Sequence, residues 1–201
     1  AADLTIMEEA SELIERITKK NRPLPQYRSC CPSWVKYAEI YHPDMLPHLS
    51  TAKSPIGMQG PTVKTYFAKK MGLNPEKIVN VAVTPCTAKK FEIRREEMSA
   101  AAEYLGIPGM RDMDYVITTR ELAIWAREEA IDFAGLADSS YDRLMGEASG
   151  AGVIFGNTGG VMEAALRTAY ETITKQKAPA VLYDLEPVRG MEAVSYTHLT
   201  L

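Results

Sequence analysis

Cys30 and Cys31, adjacent in "RSCCPSW", and Cys86, in "TPCTAKKFE", are the three thiols of this 201-residue chain. Neighbouring cysteines rarely bridge each other, because their Cβ vectors diverge and the ring distorts the peptide. An odd number of cysteines also does not build a secreted disulfide framework. Metal ligation, acid–base chemistry and inert burial therefore stay open. Spacing does not choose between them, since the close C-x-x-C pairing of a zinc or ferredoxin-type site is missing. A second group with chemical potential is Glu9, Glu12 and Arg16. At about 100° per residue, Glu9 falls about 60° from the apolar stripe begun by Ile6 and Glu12 about 120° from it, with Arg16 between them. The carboxylates thus step outward along one flank, a geometry suited to proton transfer. An i, i+4 surface pair of Glu12 and Arg16 would give the same spacing. The histidines, His42, His48 and His198, fall in loops or the tail, make no ligand set and are read as solvated. "GNTGG" has the composition of an anion-binding nest, but a lone glycine turn before a helix is more often just a tight connection.

These groups need a scaffold, and the pattern around them alternates helix with strand. Thr5 and Glu8 have capping-box spacing, and Ile6, Ala10, Leu13, Ile14 and Ile17 repeat on one face, predicting a helix over 5–20. "NRPLP" ends it, residues 27–31 form an extended entry into the cysteine pair, and a helix is predicted from Ser33 to Tyr41. "KIVNVAVTPC", Lys77 to Cys86, reads as a buried strand. "DYVITTRELAIWAREE" reads as a strand, a Thr118–Glu121 cap and a helix. "GAGVIFGNTGGVMEAALRTAYETI" reads as strand, glycine turn and helix, with Phe155, like Cys86, at a strand end. This succession predicts an α/β fold of helices packed on largely parallel sheets, with functional residues in the loops after strands.

Composition narrows the function classes. Hydrophobic residues make up 46% and charged residues 24%, enough to bury one core or two small lobes. The net charge of −3, with both signs interspersed, gives no reason to expect a nucleic acid or an anionic membrane as partner. No apolar run reaches the roughly 18 residues of a membrane helix, and no signal peptide is visible, so a cytoplasmic location is expected.

The blocks "ADLTIMEEASEL", "RSCCPSWVKYAEIYHPDMLPHLSTAKSP", "VTPCTAKKFEIRREEM", "DYVITTRELA" and "SGAGVIFGNTGGVMEAALRTAYE" resemble, in order, the catalytic domain of iron-only (FeFe) hydrogenases. The resemblance runs from Ala2 to about Val194. It implies reversible reduction of protons to dihydrogen at an H-cluster, a 4Fe-4S cubane joined to a di-iron unit bearing CO, cyanide and a bridging dithiolate. It also implies two lobes around a buried metal-cluster site. By this resemblance Cys31 and Cys86 are cubane ligands, and Cys30 is the thiol that exchanges protons with the di-iron unit. Glu9, Ser50, Glu12 and Arg16 then continue the proton path outward. Lys89 becomes a hydrogen-bond donor to a cyanide, and Ser54, Pro55, Thr84, Phe155 and Gly156 line the cofactor pocket. Implied partners are ferredoxin, or a fused iron–sulfur domain or redox subunit, and maturation proteins, with protons and dihydrogen as substrates.

Several positions depart from the family pattern. Thr84 stands where methionine is common, Arg28 and Ser33 replace a threonine and a glycine around the cysteine pair, and Ile56 replaces a glutamine. The family motif that supplies the other two cubane ligands has no match. Residues 1–194 are therefore expected to be a partial catalytic domain, 195–201 ("SYTHLTL") a foreign or artefactual tail, and the chain alone inactive. Two rival readings are a hydrogen-sensing relative with slow turnover and a non-catalytic hydrogenase-like iron–sulfur assembly protein. The full relay counts against the first, and Cys30 against the second.

Overall fold

A computed structural model describes residues 1–182 other than 143 and 158, together with the backbone of 186–188 and 191–196. The chain divides into two units, Ala1–Pro55 with Ala148–Leu201, and Ile56–Glu147. The α/β character expected from the sequence is present in the second.

The first unit is built on α1 (Ala2–Lys19), which packs against α8 (Gly150–Ile154) and α9 (Gly160–Thr174). Ile6 and Ala10 supply the buried stripe of α1, and Ala164, Ala165 and Ala169 that of α9. Alanines on the facing helix let two backbones approach closely, at the cost of little apolar area per contact. The cap of α1 differs from expectation. The helix starts at Ala2, which puts Thr5 inside it, where its hydroxyl donates to Ala1 O at 3.2 Å. The first turn is anchored instead through Asp3, which accepts from Ser149 N at 3.0 Å and pairs with its hydroxyl. These contacts hold the Asp3 carboxyl below its ordinary pKa.

Gly150–Ile154 are helical in α8, not the expected strand. The Ser149 hydroxyl accepts from Gly152 N at 3.4 Å and caps the helix, so local capping overrides the β preference of Val153, Ile154 and Phe155. Phe155 therefore follows a helix. Gly160 is required behind it, because a Cβ there would lie 1.8 Å from Ile154 O.

α2 (Pro32–Tyr41) begins with proline at its first position, where no donor is lost, and Cys31 is its N-cap residue in extended geometry. A single parallel bridge joins Tyr27 to Leu49: Tyr27 N donates to His48 O at 2.8 Å and Ser50 N to Tyr27 O at 2.7 Å. That bridge lays the cysteine segment alongside Ser50.

The second unit opens with α3 (Pro55–Thr62), whose first residue still belongs to the first unit; the helix continues through a π-helical turn, Val63–Phe67, into α4 (Ala68–Met71). β1 (Val81–Thr84) and β2 (Tyr115–Thr118) pair in parallel, in register Val81↔Tyr115 to Thr84↔Thr118. β1 is shorter than the strand expected over 77–86, since Pro75–Lys77 form a 3-10 turn and Pro85 cannot continue the ladder. Between the strands lie α5 (Lys89–Glu92) and α6 (Ala100–Leu105). Ala82, Ile93, Met113 and Val116 form the core, with Ile56 packed on it. α7 (Thr119–Glu128) starts at the expected Thr118–Glu121 capping box.

An antiparallel pair completes the described chain, β3 (Glu186–Val188) with β4 (Met191–Tyr196). Of the tail, Ser195 and Tyr196 pair with Pro187 and Glu186, and 197–201, His198 among them, lie outside the described residues. Among the described residues no helix is long and apolar enough to cross a membrane.

Candidate metal-cofactor and proton-transfer site

The flank of α1 carries its polar residues into the interior. Glu9 is 2% exposed and Arg16 1%, so the Glu12–Arg16 pair is not the surface pair its spacing also allowed. Arg16 is held by Glu12 Oε1 at 2.6 Å and by four main-chain carbonyls: Pro23 at 2.8 Å, Pro47 at 3.2 Å, His48 at 3.3 Å and Leu49 at 2.8 Å. A buried guanidinium is tolerable when its donors are met in this way. The second oxygen of Glu12 accepts from Ser50 Oγ at 2.8 Å, Thr51 N at 2.8 Å and Thr51 Oγ1 at 3.1 Å. Burial pushes the Glu12 carboxyl up, and the donors from Arg16, Ser50 and Thr51 outweigh it, leaving the pKa below the ordinary value.

Glu9 lies one turn earlier. Its Oε2 forms an ion pair with Arg28, and both of its carboxylate oxygens are buried without a hydrogen-bond partner among the described residues. Arg28 interacts by charge and hydrogen bonding with Cys30 as well. Burial lowers the guanidinium pKa to about 10, against the opposing effect of Cys30. Thus Glu12, Arg16 and Ser50 form one hydrogen-bonded group, and Glu9 connects to Cys30 through Arg28. Arg28 figured in the sequence only as a departure from a pattern; the signal that could have found it is a cation two residues before Cys30, on a segment that must face α1.

Cys30 is half-buried and Cys31 exposed, and neither is in a disulfide. Ser54 is 1% exposed at the end of this unit, beside half-buried Pro55. Phe155 is half-buried and Gly156 exposed in the turn after α8. His42 and His48 are half-buried, not fully solvated: His42 Nε2 lies 3.1 Å from Tyr37 Oη and His48 Nδ1 2.9 Å from Pro25 O.

In the second unit, Cys86 is free and half-buried in the turn between β1 and α5. Its N–H lies 3.5 Å from Thr84 Oγ1, and its carbonyl accepts from Lys89 N at 3.3 Å. The Lys89 ammonium donates to Glu92 Oε2 at 2.8 Å, and both side chains are largely buried. Glu92 escaped sequence reasoning, though K-x-x-E on a short helix is an i, i+3 pair.

Among the described residues no three His, Cys, Asp or Glu side chains gather as a metal site. Taken singly, each unit carries groups whose chemistry suits an iron–sulfur cofactor: in the first, thiols outside any disulfide and a buried carboxylate without a hydrogen-bond partner among the described residues, and in the second, a thiol and a buried ammonium in neighbouring turns.

The family model of the iron-only hydrogenase large subunit, C-terminal domain, matches residues 1–201. The periplasmic Fe hydrogenase large subunit of Nitratidesulfovibrio vulgaris is 52% identical over 96% of this chain and 44% of its own length. The cytosolic Fe-S cluster assembly factor NAR1 of Sclerotinia sclerotiorum is 44% identical over 63% of this chain and 22% of its own. Among solved structures, an apo FeFe-hydrogenase variant from Chlamydomonas reinhardtii superposes with a TM-score of 0.78 at 46% identity, over 95% of this chain and 46% of that one. The chain thus spans less than half the length of these relatives. Sequence match and shared fold together place it in the iron-only hydrogenase family, within the C-terminal domain of the large subunit.

Proposed function

We propose that the whole protein catalyses reversible reduction of protons to dihydrogen at an H-cluster in the cytoplasm, with electrons from ferredoxin or a fused or partner redox module. When bound, the cofactor supplies the metal at which protons and electrons combine. The remaining roles fall to the chain. Cys31 and Cys86 would hold the cubane, which takes four thiolates in all, so two more ligands must come from outside the chain's three cysteines. Lys89 would donate to an anionic ligand of the di-iron unit, and Ser54, Pro55, Thr84, Phe155 and Gly156 would line the pocket and exclude water. Cys30 would exchange protons with the di-iron unit, supplied in order by Glu9, Ser50 and Glu12, with Arg16 fixing Glu12.

The observation that carries this reading is the Ser50–Glu12 hydrogen bond of 2.8 Å, made on the same buried flank as Glu9. A proton can pass along groups at hydrogen-bond separation, and a structural pair alone has no need of the serine.

Glu9→Gln and Cys30→Ala in the cofactor-loaded whole protein test it. Each removes a proton carrier and no metal ligand, so hydrogen evolution should fall by about 100-fold or more while the infrared bands of the cluster persist. Wild-type turnover in either variant overturns the relay.

A further inference from the structure

The relay residues leave one half-buried cation unused. Arg28 is 25% exposed at its side chain, sits two residues before Cys30, and pairs with Glu9 from across the segment. A guanidinium is costly to desolvate, so its inward placement needs a partner that offsets desolvation. Glu9 is that partner, and it is nine-tenths and more buried. The pairing is ionic and one-sided: Oε2 faces the guanidinium, while neither carboxylate oxygen has a hydrogen-bond partner among the described residues. The same guanidinium reaches Cys30. It therefore touches both residues between which the first proton hop would run.

The geometry points to Arg28 as a positioning residue of the proton path: it fixes the rotamer of the Glu9 carboxylate so that one oxygen is engaged and the other is kept free to take and give the proton. This rests on the proposed hydrogenase function for the destination of the proton, but not for the pairing itself. Among the described residues Glu9 leans on no other side chain for this; Gln26 Nε2 donates to its main-chain carbonyl at 3.3 Å, not to its carboxylate. A planar guanidinium holds a carboxylate in a defined orientation, which an ammonium or a hydroxyl does less well. Arg28 does not itself carry the proton, since Cys30 and Glu9 do so at their sulfur and oxygen atoms.

Two readouts test the assignment. In this chain without cofactor, carbon-13 labelling of glutamate and assignment through Glu9→Gln give the Glu9 carboxyl resonance. Arg28→Gln should move that resonance and leave Glu12 in place, and Arg28→Lys should restore it in part. A Glu9 resonance unmoved in both variants overturns the proposal, whatever the protein catalyses. In the cofactor-loaded whole protein, Arg28→Gln should cut hydrogen evolution by about tenfold or more and raise the ratio of rates in light and heavy water, with cluster infrared bands retained. Unchanged turnover and isotope ratio would also overturn it. A wild-type protein that makes no hydrogen would instead sink the functional reading, and the resonance would still decide on Arg28.

Discussion

Each unit has, among the described residues, a cation no more than 2% exposed, and the two are satisfied differently. Arg16 in the first gathers four carbonyls and Glu12, and Glu12 in turn reaches Ser50. Lys64 in the second, 2% exposed in the π-helical turn, meets both oxygens of Asp114 at 2.9 and 2.7 Å and Arg111 O at 2.7 Å. Asp114 then accepts from Asn80 N at 2.7 Å, and the Asn80 side chain donates to Gly60 O and Asp112 O. The second network ends on main chain and pins the entry to β1 and β2. The first ends on a hydroxyl that can turn and pass a proton. Burial of a charge thus says little about function; what the partner touches next says more.

The largest effects should come from removing the cations themselves. Arg16→Met takes the guanidinium from Glu12 Oε1 and leaves several carbonyls unmet, and Lys64→Met takes the ammonium from Asp114, so each should cost about 3 kcal/mol or more of unfolding free energy in denaturant titrations. If the comparison holds, the losses are similar although only Arg16 lies beside the proposed relay. A loss under about 1 kcal/mol for Arg16→Met would mean its carbonyl contacts are dispensable.

Smaller substitutions one step further out should separate the two networks. Ser50→Ala removes one of several donors to Glu12, and Asn80→Ala removes two hydrogen bonds to main chain, so stability should fall by about 1 kcal/mol in the first and about 1–3 kcal/mol in the second. Hydrogen evolution by the loaded whole protein should drop by about tenfold in Ser50→Ala only. An equal drop in both would erase the distinction between clamp and relay.

How much of this was legible depended on whether the local signal stood alone. The apolar spacing of Ile6 and Ala10 named the buried face of α1, and Thr118–Glu121 named the start of α7. The same spacing at Thr5 and Glu8 failed, because Ala2, Asp3 and Leu4 extend the helix N-terminally past Thr5. "GAGVIF" carried a strand-like composition that Ser149 overrode by capping a helix. For the site, helical phase placed Glu9 inward, but it left Arg16 undecided, since burial there depends on carbonyls from residues 23 and 47–49 that no periodicity reveals. The Arg28–Glu9 pair was illegible for the same reason: it joins an extended segment to a helix through tertiary packing.

The smallest effect belongs to an ion pair with neither burial nor a carbonyl cage. Lys90 and Glu121 meet at 2.5 Å with side chains 40% and 47% exposed. Glu121 also closes the capping box, its Oε2 accepting from Thr118 N at 2.8 Å. The Lys90 hydrogen bond first, then those of Thr118, lower the carboxyl from 4.5 to about 2. A depressed carboxyl pKa contributes stability that is present above the unfolded value and lost as pH falls toward the folded one, here between 4.5 and about 2. Solvent and salt screen an exposed pair, so Lys90→Ala should shift the denaturation midpoint only slightly at neutral pH, and less in high salt. The gap from wild type should close as pH drops through that window, because a protonated Glu121 has little to gain from Lys90. A gap that widens with acid would mean the lysine acts through another partner, and the contrast with the caged Arg16 would lose its electrostatic basis.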